Sequence, residues 1–155
     1  MPQVVLRQVA AADLPILFDQ QTDPEANQMA AFPSRVWPAF LEHWGRVLAD
    51  DGVHKRTIVA DGEVAGYVVA YRESGRCQIG YWLGRKHWGR GIATVAVSRF
   101  LGQFAERPLF AIVASHNLAS RRVLEKCGFA LSATPLEGPG PPSEARKELV
   151  FELQA

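Results

Sequence analysis

Residues 80–94 read GYWLGRKHWGRGIAT: an alternating apolar run, a basic turn spaced by Gly84, Gly89 and Gly91, then the start of an apolar-periodic helix. That order of parts makes an anion site. The first N–H groups of a helix have no intrahelical acceptor and the helix dipole adds partial positive charge, so a pyrophosphate can sit on them. Gly89 and Gly91 let the backbone approach closely, and small Ala93 leaves room for the ligand or for helix–sheet contact. A glycine turn before a helix can also serve only to reverse the chain. The segment is not a dinucleotide fingerprint, because Thr94 stands where the third glycine belongs, and it is not a P-loop, because no Gly-Lys-Ser/Thr follows. A second chemical segment, NLASRRVLEKCGF at residues 117–129, offers Asn117 as a helix cap and Ser120 in the first turn. Lys86, Arg90, Arg121 and Arg122 are candidate phosphate contacts or a solvated basic face, and Arg90 sits inside the turn.

These residues need elements to hold them. Residues 3–9 alternate like a half-buried strand, and Asp13 is expected to cap a helix running to about Gln21. Residues 23–32 read as a short helix. Ser34 is expected to cap a longer one carrying Val36, Trp37, Phe40, Leu41, Trp44 and Leu48, an aromatic stripe that suits docking onto a core. Residues 56–60 and 63–71 flank Asp61-Gly62, a hairpin signal, and residues 73–76 turn the chain again into 77–83. The middle is therefore an antiparallel meander. Residues 91–105 carry two apolar rows and read as a buried helix, and the apolar run 109–113 suits a central strand parallel to the one at Cys77. Gly128 is expected to stop the Asn117 helix in the left-handed conformation, with Phe129 folding back onto Leu124. Residues 130–134 and 147–153 read as a last strand pair around a Pro/Gly-rich loop at 135–142.

At 155 residues, 48% apolar and 21% charged, the chain has the size and composition of one globular domain spanning residues 1–155. A net charge of +1 gives no long-range attraction to nucleic acid or to an anionic membrane, so any anion site must be local. Cys77 and Cys127 have no CxxC spacing and no histidine cluster beside them, which leaves no metal site and no disulfide scaffold and fits a reducing cytoplasm. The first residues lack a basic region followed by a long apolar run, so neither export nor a membrane span is expected.

The run at residues 80–94, followed by Asn-x-x-Ser and Gly-Phe at residues 117–129, resembles the GNAT superfamily of N-acetyltransferases. Within it, the Tyr-Trp-Leu strand and the Trp-Gly-basic-Gly-x-Ala turn are most similar to the ribosomal-protein-alanine acetyltransferase branch. The resemblance is strongest from Gly62 to Phe129. It implies an α/β (α+β) fold with a mixed, mostly antiparallel sheet of six to seven strands and helices on both faces. It also implies acetyl-CoA as co-substrate and transfer to an amine acceptor within a ternary complex, with no metal. Carried over by position, the backbone of Tyr81, Trp82 and Leu83 would pair with the pantetheine arm. Gly89, Arg90, Gly91, Ile92, Ala93 and Thr94 would wrap the pyrophosphate, with Trp88 shaping the turn. Asn117 would both cap its helix and contact the cofactor.

The chemistry asks for a base. An amine of pKa about 10.4 is neutral in only about one molecule in 2,500 at pH 7, whereas a thiol of pKa about 8.5 leaves easily. The glutamate that many members place on the strand before the turn is replaced here by Gln78, and the tyrosine that many use as acid by Leu124. Ser120, matching the serine of the similar branch, is the remaining candidate acid; the same residue type also satisfies early-helix N–H groups. His116 has a suitable ordinary pKa but fits a structural role at a strand end. The missing groups leave a second reading open, a catalytically silent acyl-CoA-binding or sensing module. Nucleic-acid binding through residues 85–87 and the Arg121-Arg122 helix lacks both charge and motif. Exposed strand ends could support a homodimer.

Overall fold

A computed structural model describes residues 2–132 and 148–154. Two hairpin turns set the sheet. Asp61 and Gly62 both take positive φ (49° and 82°), as do Ser74 and Gly75 (53° and 76°), the geometry in which a two-residue loop matches the right-handed twist of its strands. They join β2 (His54–Ala60), β3 (Glu63–Glu73) and β4 (Arg76–Leu83) into an antiparallel meander, and β1 (Val4–Arg7) pairs along the free side of β2. The crossover helix α4 (Ile92–Gln103) then delivers β5 (Leu109–Ala114) parallel to β4, as the apolar run at 109–113 requires. β7 (Glu148–Leu153) pairs antiparallel with β5, and the short β6 (Ala130–Leu131) closes the edge. The result is a seven-stranded sheet in the order β1-β2-β3-β4-β5-β7-β6. The Pro/Gly-rich stretch 135–142 and the parts of the last strand pair at 133–134 and 147 lie outside the described residues.

Strand alternation divides the core in two. Val68 and Ala70 of β3 pack with Ile92, Ala96, Val97 and Phe100 of α4. Their neighbours Tyr67 and Val69 face Leu14 and Leu17 of α1 (Leu14–Gln21) and Phe40 and Trp44 of α3 (Trp37–Ala49). Period-2 strands and period-3.6 helices thus cover both sides of one sheet. Trp44 and Phe40 are essentially buried, each worth about 3 kcal/mol in transfer free energy, and Trp44 meets Tyr67 edge-on at 5.0 Å.

Two helix starts differ from expectation. Asp13 does not cap α1 with its side chain; its carboxylate accepts from Arg7 (2.7 and 2.8 Å), the Ala10 N–H (2.9 Å) and the Thr57 hydroxyl (2.8 Å), anchoring a 3₁₀ turn to β1 and β2. Ser34 lies three residues ahead of α3, whose cap position is Val36; Pro38 in the first turn pre-sets the helical φ there and removes an N–H that would otherwise need a partner. The stop at Gly128 is as expected. Its φ is 96°, Phe129 N–H donates to Leu124 O (3.0 Å) and Gly128 N–H to Glu125 O (3.1 Å), the paired bonds of a Schellman ending to α5 (Leu118–Lys126).

Candidate active site

β4 and β5 pair at a single position, Gln78 opposite Phe110, among the described residues. Beyond it the two strands are no longer joined, so the last residues of β4, through Tyr81, Trp82 and Leu83, stay paired with β3 on one side and border a gap on the β5 side. Tyr81, Trp82 and Leu83 line a cavity of about 430 Å³ together with the turn, the start of α4 and one face of α5. The turn is built from three constraints. Trp88 Nε1 donates to Leu83 O at 2.9 Å, Gly89 and Gly91 take φ of 72° and 76°, and Gly91 occupies the cap position of α4, whose first intrahelical bond runs from Val95 N–H to Gly91 O. The N–H groups of Ile92, Ala93 and Thr94 therefore have no backbone acceptor among the described residues, and these residues line the cavity. This cradle fits a diphosphate.

The cationic residues divide. The Arg90 guanidinium meets Asp61 (3.2 Å) and the Lys86 ammonium meets Glu63 (2.9 Å). Arg121 donates to Ser115 O (3.3 Å). Arg122 lines the cavity, and so does Lys126, which is not among the cations expected at the site but follows helical spacing with Ala119, Arg122 and Val123 along one stripe of α5. Arg85 ion-pairs with Asp23 (2.9 Å) and Glu25, fastening the turn to α2 (Pro24–Ala30), whose Ala26, Met29 and Ala30 complete the wall.

A second cavity, about 740 Å³, lies between α3, β3, β4, β5 and α5. Ala30, Tyr81, Trp82, Asn117 and Ser120 line both cavities, so the two spaces meet there. Asn117 Oδ1 accepts from Ser120 N–H (3.2 Å), the expected cap. Ser120 Oγ lies 2.7 Å from Tyr81 Oη, a hydrogen bond that either hydroxyl can donate. Burial is the largest influence on Tyr81 and pushes its phenol up to about 12 against the opposing pull of Ser120. Tyr81 is thus held as the neutral phenol. Sequence pattern assigns Tyr81 only a backbone role; the hydroxyl pairing joins residues 39 apart and follows only from the β4–α5 packing.

Gln78 is buried, accepts from the Tyr71 hydroxyl (3.4 Å) and does not line the second cavity. Leu124 is 1% exposed. His116 Nε2 lies 2.9 Å from Gln28 O and links the start of α5 to α2. Among the described residues no cluster of His, Cys, Asp or Glu could hold a metal, and no helix is long and apolar enough to cross a membrane.

Comparison with known proteins agrees with this geometry. The family described as "Acetyltransferase (GNAT) domain" matches residues 3–130. The chain belongs to the GNAT acetyltransferases, and it is an acyltransferase of the kind that uses acetyl-CoA. A local match joins it to an uncharacterized N-acetyltransferase p20 of Bacillus licheniformis, 47% identical over 36 residues, which are 23% of this chain and 20% of that protein. An acetyltransferase of Agrobacterium tumefaciens superposes with a TM-score of 0.79 at 23% identity, covering 98% of this chain and 91% of its own. RimL, a ribosomal L7/L12 alpha-N-protein acetyltransferase solved with coenzyme A, superposes with a TM-score of 0.78 at 17% identity, covering 97% and 93%. At these identities the structures establish the shared GNAT fold.

Proposed function

We propose that this chain transfers the acetyl group of acetyl-CoA to a primary amine, either a protein N-terminus or the amine of a small molecule, by direct attack with both substrates bound. The observation that carries the reading is the meeting of the two cavities at Tyr81, Trp82, Asn117 and Ser120. One cavity has the anion cradle and the other has none, so donor and acceptor can approach these shared residues from different sides. Bound there, acetyl-CoA supplies an activated acyl carbon and a thiolate leaving group.

The free N–H groups of Ile92, Ala93 and Thr94 and the cations Arg122 and Lys126 hold the phosphates. The β5-side edge of β4 at Tyr81, Trp82 and Leu83, of which the Leu83 carbonyl is already taken by Trp88, aligns the pantetheine arm through its remaining main-chain groups, as an added strand would. Positioning then contributes most of the rate. The Tyr81–Ser120 pair donates a hydrogen bond where negative charge develops. A phenol held at about 12 is a far weaker acid than a thiol of pKa about 8.5, so the pair stabilises charge in place and does not need to surrender a proton.

Calorimetric titration with coenzyme A and acetyl-CoA, followed by thiol release across peptides, amino acids, polyamines and aminoglycosides, tests the reading. Saturable binding with thiol release only on adding an amine supports it. The uncharged Gln78 and buried Leu124 favour one other reading, an acyl-CoA-binding module without turnover; tight binding with no thiol release across the whole panel would establish that instead.

A further inference from the structure

An alkylammonium entering the second cavity must lose a proton, and the strand position that would hold a carboxylate carries Gln78. Among the described residues the cavity wall contains two carboxylates, and neither is well placed. Asp50 ends α3, its Oδ1 taken by the Gly52 N–H at 2.8 Å. Glu73 stands at the far end of β3, five residues beyond the partner of Tyr81, about 17 Å along the strand.

His43 is differently placed. It lines the same cavity from α3, and its ring meets Trp44 edge-on at 6.3 Å. Trp44 in turn packs on Tyr67, which lies opposite Trp82 in the β3–β4 register. α3 therefore crosses the sheet at the level of Tyr81 and Trp82, where the two cavities meet. We propose, resting on the acetyl-transfer reading, that His43 is the base of the reaction. The ammonium N–H bond breaks, its proton forms an N–H bond on the His43 imidazole, and the freed lone pair attacks the thioester carbon; the C–S bond then breaks, the coenzyme A thiolate leaves and takes up the second proton shed by the attacking nitrogen, and the imidazolium returns its own proton to water after product leaves.

The surrounding charges suit that role. Partial burial, then Arg35 from the segment before α3, then Arg46 from α3 push the His43 pKa below its ordinary value. Arg46 is itself paired with Glu42 (2.9 Å). From the facing strand, Arg72 is engaged by Glu106 (2.7 Å), and Tyr67 and Tyr71 are held protonated by burial. These influences favour the neutral ring, the form able to accept a proton.

The test compares wild type with His43→Gln and His43→Ala on two probes, benzylamine, which is protonated at neutral pH, and hydroxylamine, which is not and needs no base. Calorimetry with coenzyme A checks that each variant keeps its donor site. The expected result is a loss of about 10²-fold in kcat/KM toward benzylamine at pH 7 with hydroxylamine unchanged, and NMR titration of the His43 ring giving a pKa below that of ordinary histidine. Equal losses with both probes, no loss with benzylamine, or titration at or above the ordinary value each overturn the proposal while leaving acetyl transfer intact. A wild-type protein that does not bind coenzyme A overturns the acetyl-transfer reading itself, and this inference with it.

Discussion

The 2.7 Å contact between Tyr81 Oη and Ser120 Oγ makes the two hydroxyls one functional unit, so their deletions should not add. Tyr81→Phe and Ser120→Ala are each expected to lower kcat by about 10²-fold with coenzyme A affinity retained, the double variant falling little further. Additive losses in the double-mutant cycle would show that the hydroxyls act separately. Asp13 makes a second prediction, about stability. The Arg7 guanidinium, with help from the Ala10 N–H and Thr57 and against the cost of burial, holds its carboxyl down at about 2. Since the folded value lies below the unfolded one, the stabilisation is complete above about pH 4 and is lost as pH falls toward 2. Asp13→Asn should therefore cost about 2 kcal/mol at pH 7 and flatten stability between pH 4 and 2, as read by urea denaturation at several pH values. Of these groups, the sequence shows Asn117 as a cap because that role is local. It does not show the Tyr81 hydroxyl, Lys126 or His43 at the site, because each acquires its place from packing between elements distant in sequence.

Elements whose limits are written in local chemistry were legible: the hairpins at Asp61-Gly62 and Ser74-Gly75, the Gly91 start of α4 and the Gly128 end of α5. The start of α3 was not, because Ser34 offers the side chain of a cap while Pro38 and the packing of Trp37 on Phe18 (5.0 Å) fix the helix further on. The asymmetry between two strand glycines was equally invisible. A Cβ on Gly66 would stand 1.9 Å from Trp82 O, whereas one on Gly80 would meet nothing closer than 3.8 Å. Gly66→Ala should thus disturb the β3–β4 pairing that presents Tyr81 and Leu83, costing about 3 kcal/mol. Gly80→Ala should stay within about 1 kcal/mol. Equal thermal midpoints for the two variants would contradict the close approach seen at Gly66.

Across the whole molecule, the sheet has one weak join. Among the described residues, the four strands β1 to β4 and the three strands β5, β7 and β6 are connected through a single parallel pair, Gln78 with Phe110, and the donor cavity opens beyond that pair between α2, β4, α4 and α5. A ligand seated there touches β4 on one side and α5, the helix that follows β5, on the other, and so spans the gap between the two halves. Binding to the folded state alone adds about 2.7 kcal/mol at a hundredfold excess over Kd, which for a chain of this size raises Tm by roughly 5–10 °C. Because the join is what the ligand bridges, amide exchange should slow most in residues 79–83 and 111–114 and at the start of α4, and little in the β1–β2 pair. Charge reversal at Arg122 and Lys126 should weaken the effect and reduce its dependence on salt, since the net charge of +1 leaves the attraction local. Uniform protection across the sheet on adding coenzyme A would mean that the ligand stabilises the fold without closing this gap, and the placement of the pantetheine arm along Tyr81, Trp82 and Leu83 would then be wrong.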